Sequence, residues 1–143
     1  MSPRLVLLLA LAPALGCAHR PPQVTLLDAS LSPPSGAARV LHVTFKAGND
    51  NSRALLLRDL HCRLIIDGRE VARVHRSPEA TLRRHGTQTF SVPLPFQADP
   101  LPERYEVRGE LTYIIPGPLA EILFDMGLLT PTVELRAEGA LQP

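Results

Sequence analysis

The sequence is poor in the residue types that build reactive or strongly charged sites. Among 143 residues there is no tryptophan, aromatic residues make up 4%, and only two cysteines are present. The formal net charge of +1 gives no long-range field that would attract a polyanion. We therefore expect no nucleic-acid partner.

Aliphatic side chains supply what the aromatics do not. Hydrophobic residues make up 45% of the chain, which supports a globular fold whose core is built from leucine, valine, isoleucine and alanine. A chain of this length has room for one domain with one core. We place that domain at residues 24–143.

The first residues have the layout of an export signal. One positive charge, Arg4, precedes an apolar stretch that runs from Leu5 to Leu15. This stretch of about 11 residues is too short to cross a bilayer as a helix, for which roughly 20 are needed. It is not predicted to be a transmembrane anchor.

The motif Ala14-Leu15-Gly16-Cys17 resembles the lipobox of bacterial lipoproteins. The resemblance implies that Cys17 is acylated, with palmitate-type chains, and becomes the first residue of the mature protein. Residues 1–16 are then a lipoprotein signal peptide, and residues 17–23 are the lipidated cysteine and a short tether. In the alternative interpretation, a plain signal peptide precedes an incidental cysteine.

Lipidation would anchor the protein to the bacterial cell envelope through its N-terminus. Ala18 stands where an aspartate commonly signals retention at the inner membrane. We therefore expect an exported protein at the outer membrane, facing the periplasm.

Cys62 is left without a disulfide partner if Cys17 is acylated. The neighbouring His61 cannot serve as its base, because adjacent residues of a strand point to opposite faces. We interpret Cys62 as a small buried apolar residue.

Alternation of apolar and polar residues predicts seven short strands separated by turns. They lie at residues 23–31, 38–47, 54–67, 69–75, 87–96, 104–115 and 132–141. The pair Asp67-Gly68 predicts a tight hairpin, and Pro93 and Pro95 place the second half of their strand at a sheet edge. The fold class is all-β, a seven-stranded antiparallel sandwich of the immunoglobulin or fibronectin type III kind, with a closed barrel as the alternative.

One segment has the period of a helix instead. Leucine, isoleucine and methionine recur at Leu119, Ile122, Leu123 and Met126, and this spacing predicts a short helix over residues 118–126, before the last strand. Proline at its first position and glycine after its end are typical of the two boundaries of a helix. We expect the helix to plug one end of the sandwich; a surface that contacts lipid or a partner is the alternative.

Three further stretches carry a resemblance to a known family. They are Val43-Thr44-Phe45 leading into Gly48-Asn49-Asp50-Asn51, then residues 67–72, and then residues 105–111. On these residues the chain resembles the late embryogenesis abundant type 2 family and its WHy (water stress and hypersensitive response) domain. In that family the second strand leads into Asn-Pro-Asn, and here Asp50 replaces the proline.

The resemblance implies a β-sandwich with no known catalytic site and an association with desiccation or other stress. Some relatives are suspected of handling lipid in the apolar interior. Bacterial members are often small lipoproteins, in agreement with an acylated Cys17.

Metal-binding side chains are present without the spacing of a site. The histidines at 42, 61, 75 and 85 match no metal motif, and the loop at residues 49–51 offers one carboxylate where Ca²⁺ usually needs several. We expect loop-ordering hydrogen bonds at residues 49–51. No metal, cofactor or catalytic residue is predicted.

Arginines are concentrated in the fourth predicted strand and the segment that follows it, at positions 69, 73, 76, 83 and 84. A tethered domain could use such a cluster on anionic headgroups. We favour a solvated sheet edge that resists aggregation.

Three functions remain open at this stage. The first is a monomeric, membrane-tethered, non-enzymatic module that protects or binds neighbours under stress. The second is lipid binding or transfer through an apolar groove beside Leu119, Ile122, Leu123 and Met126, and the third is a subunit of an envelope complex, which would need an exposed apolar patch.

Overall fold

A computed structural model describes residues 19–142. The proposed signal peptide and Cys17 lie outside this range. Eight strands and one helix follow one another along the described chain. They are β1 (Gln23–Leu31), β2 (Ala38–Gly48), β3 (Leu55–Ile66), β4 (Arg69–Arg76), β5 (Ala80–Leu82), β6 (Thr87–Gln97), β7 (Arg104–Ile114), α1 (Pro118–Asp125) and β8 (Thr132–Ala140).

The strands form two antiparallel sheets, so an all-β sandwich is confirmed. One sheet has the order β1-β2-β6, and the other has the order β4-β3-β7-β8, with β5 pairing with the first residues of β3. The strand that alternation missed is β5, whose three residues extend the edge made by β4. The described chain therefore has eight strands where seven were predicted.

The space between the sheets is filled by the alternating apolar residues of the central strands. From β2 these include Leu41, Val43 and Phe45, each at most 1% exposed, and the other strands contribute in the same way. Cys62 is part of this core, as predicted, and its burial raises the pKa of its thiol from 9.0 to about 12. A thiol with such a pKa is protonated at neutral pH and is not a nucleophile.

Two turn and edge predictions are confirmed in detail. Asp67 and Gly68 both have positive φ, 50° and 75°, as a two-residue hairpin of the favoured type requires. Strand β6 pairs only with β2 and is an edge strand, as its prolines require.

The prolines of β6 sit on the side of the strand that faces away from β2. Arg76 donates a hydrogen bond to the carbonyl oxygen of Ser91 from outside the sheet, so the backbone polar groups of Ser91 point away from β2. Backbone direction repeats every second residue in a strand, so positions 93 and 95 share this orientation. The ladder between β2 and β6 therefore runs from Ala38 to Gly48 without interruption.

Gly109 lies in the middle of the five-stranded sheet, where the backbones of β3 and β7 approach closely. A Cβ atom at this position would lie 2.7 Å from the carbonyl oxygen of His61 and 2.8 Å from the sulfur of Cys62. The glycine is required by this close approach, and the register with β3 is regular there.

Candidate functional site at the tether end

One end of the sandwich gathers the segments that the sequence singled out, and we call it the tether end. Its parts are residues 19–22, the loop at 49–54, the turn at 83–86 and the segment 115–131, which contains α1. Register places them together, because Gln23 pairs with Gly48, Gly48 with Thr87, and Leu56 with Ile114. The Asp67-Gly68 hairpin lies at the opposite end.

The side chain of Asn49 joins two loops of this end. It is 1% exposed, and its amide nitrogen lies 2.8 Å from the carbonyl oxygen of Arg53 and 3.2 and 3.1 Å from those of Leu82 and Arg83. Its Oδ1 accepts hydrogen bonds from both the backbone and side-chain nitrogens of Asn51. The prediction of loop-ordering hydrogen bonds is therefore confirmed.

Asn51 holds the segment that precedes the first strand. Its side-chain oxygen accepts a hydrogen bond from the backbone nitrogen of Arg20, and its side-chain nitrogen donates to the carbonyl oxygen of the same residue, both at 2.7 Å. This two-bond contact imitates a step of a β-ladder. Nearby, the side chain of Gln23 donates to Asp50 at 3.0 Å.

Tyr113 connects the same segment to the region of the helix. Its hydroxyl lies 3.3 Å from Nε2 of His19, and the two rings meet edge to face with centroids 5.9 Å apart. Burial raises the pKa of the Tyr113 hydroxyl, so the hydroxyl is neutral at ordinary pH. The backbone nitrogen of Tyr113 donates to Pro131, which closes the segment that carries α1.

Helix α1 begins at the proline and ends before the glycine that predicted its limits. Pro118 occupies the first turn, and Gly127, with φ of 71°, ends the helix in a Schellman motif. In that motif the backbone nitrogen of Leu128 donates to Leu123, and that of Gly127 donates to Phe124. The predicted range of residues 118–126 is one residue longer than the helix.

The helix does not plug the sandwich, and this expectation is wrong. No residue of α1 is buried, and the core cluster between the sheets includes none of them. The helix contacts β7. In β7, Tyr113 faces the core, so the next residue, Ile114, faces the outer side of the sheet, yet Ile114 is only 1% exposed. A neighbouring element must therefore cover this outer face, and the helix is that element. It therefore covers the outer face of the five-stranded sheet at the tether end.

A bulge in β3 supplies the contact on which the helix rests. The register between β3 and β7 shifts between Leu57 and Asp59, so Arg58 is the extra residue. Its guanidinium lies 5.7 Å from the centre of the Phe124 ring. Sequence alternation gave no sign of this bulge, and Arg58 was not among the predicted site residues.

The four residues predicted as a lipid or partner surface do not share one environment. Leu119, Ile122 and Met126 are 69%, 56% and 65% exposed, whereas Leu123 is half-buried. Two residues after the helix, Leu128 at 67% and Leu129 at 43%, extend the exposed apolar area.

Away from the helix, the outer face of the five-stranded sheet carries charged side chains in register. Four arginines, one from each long strand, lie opposite one another across the sheet; they are Arg73, Arg63, Arg108 and Arg136. On one side this arginine row is flanked by Glu70, Glu106 and Glu138. Glu106 accepts a hydrogen bond from Arg108 at 2.7 Å and forms an ion pair with Arg136 at 3.1 Å.

On its other side the arginine row is flanked by a row of histidine and glutamate. The rings of His61 and His75 stack at 4.0 Å, and Glu110 and Glu134 continue the row. A polar cavity of about 570 Å³ lies over these rows, and a second of about 280 Å³ lies near the Asp67-Gly68 hairpin. Neither cavity is lined by a residue of α1.

Within residues 19–142, no three histidine, cysteine or acidic side chains are grouped so that they could hold a metal ion. No helix in the same range has the length and apolar character needed to span a bilayer.

Solved structures with the same architecture have little sequence in common with this chain. The solution structure of an Arabidopsis thaliana protein is similar, with TM-score 0.56 and 13% identity over 87% of this chain and 84% of that one. A crystal structure of a Bordetella pertussis protein assigned as ApaA gives TM-score 0.55 and 16% identity over 87% and 96%. A structural genomics target designated SoR45 gives 0.62 and 9% over 82% and 84%.

These likenesses show the fold alone. No curated protein matches the sequence. The sequence profile of the late embryogenesis abundant (LEA_2) family does match, over residues 44–139, which is more than half of the chain. That range begins in β2, ends in β8, and includes the Asn-Asp-Asn loop and the helix. The chain therefore belongs to the LEA_2 family of late embryogenesis abundant proteins.

Proposed function

We propose that this protein is an exported lipoprotein, held at the bacterial outer membrane by acylated Cys17, that protects or binds neighbouring molecules under stress without catalysis. The family is stress-related and generally non-enzymatic, with no established molecular function. We assign the domain to the WHy branch of the family and its strands to the immunoglobulin or fibronectin type III kind. Both finer assignments are part of the proposal.

The observation that carries the proposal is the fixed position of the chain directly after Cys17. His19 contacts Tyr113, Arg20 pairs with Asn51, and Pro22 is buried. A domain that binds the first residues after its anchor holds a defined position next to the membrane, and free tethering would need none of these contacts. The Asn-Asp-Asn loop, which carries the family resemblance, supplies part of this attachment.

The absence of a catalytic role is supported by the chemistry of the candidate groups. Cys62 is a protonated thiol inside the core, and its pKa of about 12 keeps it so at physiological pH. The imidazoles of His61 and His75 stack on the solvent face of the sheet, on the side opposite to the sulfur.

The test of the anchor compares full-length wild-type protein with Cys17→Ser in a Gram-negative host. We expect the wild-type protein in the outer-membrane fraction, with an intact mass that includes acyl chains on a mature chain beginning at Cys17. The C17S variant should be released from the membrane. Ala18→Asp is the matched control, because it should keep the lipid and move the protein to the inner membrane.

The stress role is tested in the organism from which the chain comes. Deletion of the coding sequence should reduce survival after drying, and the wild-type copy, but not C17S, should restore it. An unmodified mass for the wild-type chain would contradict the anchor. Unchanged survival after deletion would contradict the stress role while leaving the anchor intact.

Lipid transfer through an apolar groove has less support. The two cavities on the sheet surface are lined mostly by charged residues, and a cluster of buried apolar side chains lies between the sheets. Copurified lipid, identified by mass spectrometry of the C17S protein, would favour transfer over protection.

A further inference from the structure

Five exposed aliphatic side chains form one surface at the tether end, which we call the apolar patch. Its members are Leu119, Ile122, Met126, Leu128 and Leu129, which are 43–69% exposed. Within residues 19–142 only three other large hydrophobic residues are comparably exposed; these are Leu26, Leu27 and Val71. Contiguous apolar surface of this kind marks a site of interaction.

The fold does not need the apolar patch. The helix contacts β7, and on the side away from the patch Leu123 is half-buried and the Phe124 ring lies against Arg58. The Schellman motif at Gly127 then turns the chain so that Leu128 and Leu129 extend the exposed area. The helix is thus fixed by one face while a second apolar face remains in solvent.

The start of the described chain identifies what covers the patch. His19 lies against Tyr113, whose backbone nitrogen is bonded to the end of the helix segment at Pro131. Cys17 precedes His19 by two residues, so their Cα atoms are at most about 7 Å apart. An acyl chain on Cys17 would therefore be attached at the same end of the sandwich as the apolar patch.

Charge at the tether end suits the same neighbour. Arg20, Arg53, Arg83 and Arg84 are all exposed there. The acidic groups of this end are Asp50, Glu121 and Asp125, so the excess charge is positive. Anionic headgroups attract basic residues held near the bilayer surface.

We propose that the apolar patch inserts into the lipid bilayer beside acylated Cys17 and fixes the orientation of the domain. The inference rests on the proposed anchor and adds a second membrane contact to it. A helix that lies in the interface with its apolar face toward the lipid is one of the known forms of membrane contact. The bilayer is favoured over a second copy of the chain because the anchor brings the patch to the lipid in every molecule.

The absence of tryptophan from the sequence permits a clean measurement of depth. Two single-tryptophan versions of the full-length lipoprotein are made, Ile122→Trp in the patch and Val71→Trp at the opposite end. Val71 is a matched control because it is also an exposed aliphatic residue, at 40%. Both proteins are reconstituted into vesicles of phosphatidylethanolamine and phosphatidylglycerol whose acyl chains carry bromine, which quenches tryptophan on contact.

We expect the I122W fluorescence to shift to shorter wavelength and to be quenched by about twofold, as for a side chain at the boundary between headgroups and acyl chains. The V71W fluorescence should be unchanged. Circular dichroism melting curves of both variants verify that each is folded.

The alternatives give different results. If the protein floats with the vesicles but I122W is not quenched, or if both positions are quenched equally, the insertion proposal is wrong and the anchor stands. If the protein does not float and Cys17 has its unmodified mass, both the anchor and the insertion are wrong. A shift of I122W that appears without vesicles and grows with protein concentration would instead assign the patch to a second copy of the chain.

Discussion

The outer face of the five-stranded sheet has two parts with opposite chemistry. Toward the Asp67-Gly68 hairpin it is open to solvent and carries arginine and glutamate in register across four strands. Toward the tether end the same face is covered by α1, whose outward side is aliphatic. Both parts rest on the same strands and the same core, so neither surface is dictated by the requirements of folding.

The two parts therefore present different surfaces to solvent, one charged and one apolar. Charged rows keep the exposed sheet hydrated, and Glu106 neutralises two of the arginines directly. At the tether end, Asn51 and Tyr113 instead form polar contacts with Arg20 and His19, which precede β1. Substitutions in the two regions should therefore have different consequences for stability.

The largest effect is expected at Asn49, where the tether end is joined to the core. Asn49→Ala removes a buried amide, so the carbonyl oxygens of Arg53, Leu82 and Arg83 lose their hydrogen-bond donor. We expect the free energy of unfolding to fall by about 3 kcal/mol and the melting temperature by roughly 10 °C. Thermal unfolding followed by circular dichroism measures the loss. Asn51→Ala should cost less than about 1 kcal/mol, because its partners at Arg20 remain exposed to water. Equal losses would show that the two asparagines act as one unit.

Gly109 tests the close approach of strands beneath the charged rows. Gly109→Ala places a methyl group 2.7 Å from the backbone oxygen of His61, and we expect a loss of about 2 kcal/mol in urea unfolding. Gly117→Ala is the control at the other region, since no atom lies within 4 Å of the added Cβ there. That variant should differ from wild type by less than about 0.5 kcal/mol.

Leu123 and Ile122 distinguish the two sides of the helix. Leu123→Asp puts a charge against the sheet and should lower stability by about 1.5 kcal/mol, whereas Ile122→Asp should change it by less than about 0.5 kcal/mol. The comparison uses melting curves of the C17S protein in solution, without lipid. If I122D were as damaging as L123D, the patch would be part of the fold and the contrast between the two regions would fail.

The smallest effects are expected in the charged rows, first at Glu106. A hydrogen bond from Arg108, together with the charges of Arg108, Arg136 and Arg63, lowers the pKa of Glu106 below its usual value of 4.5. The folded state therefore gains stability above that pH and loses it as the pH falls through the lowered pKa. Glu106→Gln should slightly lower the melting temperature at pH 7, and the difference from wild type should vanish in strong acid.

Salt provides the control for Glu106. The difference in melting temperature between E106Q and wild type at pH 7 should change with ionic strength. The reason is that the variant leaves Arg108 and Arg136 without their shared carboxylate beside Arg63. Glu138→Gln should have a smaller effect, since Glu138 lies 3.9 Å from Arg136.

The strands could be predicted because apolar and polar residues alternate along them. This alternation gives five of the seven long strands a buried face, whereas β1 and β4 are only partly buried. Alternation located the seven longer strands to within a residue or two, and Asp67-Gly68 and the prolines of β6 located a turn and an edge. The strand β5 was missed because three residues are too few for a period to be visible. The bulge at Arg58 was missed because it depends on pairing with β7.

The candidate site was predictable only in part. The first and last residues of the helix could be predicted because Pro118 and Gly127 act locally. Which face of the helix is buried depends on where the end of β7 places residues 115–131 relative to the sheet. The attachment of Arg20 to Asn51 joins residues 31 positions apart, and no local pattern encodes that contact. The family resemblance pointed to Asn49 and Asn51 without indicating that one joins loops and the other holds the tether.

The prolines of β6 have a consequence when water is withdrawn. A sheet edge normally offers outward amide donors on which a strand of another molecule can assemble, and drying concentrates proteins until such encounters are frequent. At positions 93 and 95 the outward donors are missing, and Arg76 already occupies the carbonyl oxygen of Ser91. A strand of another molecule therefore finds no continuous row of outward amide donors along β6 on which to assemble.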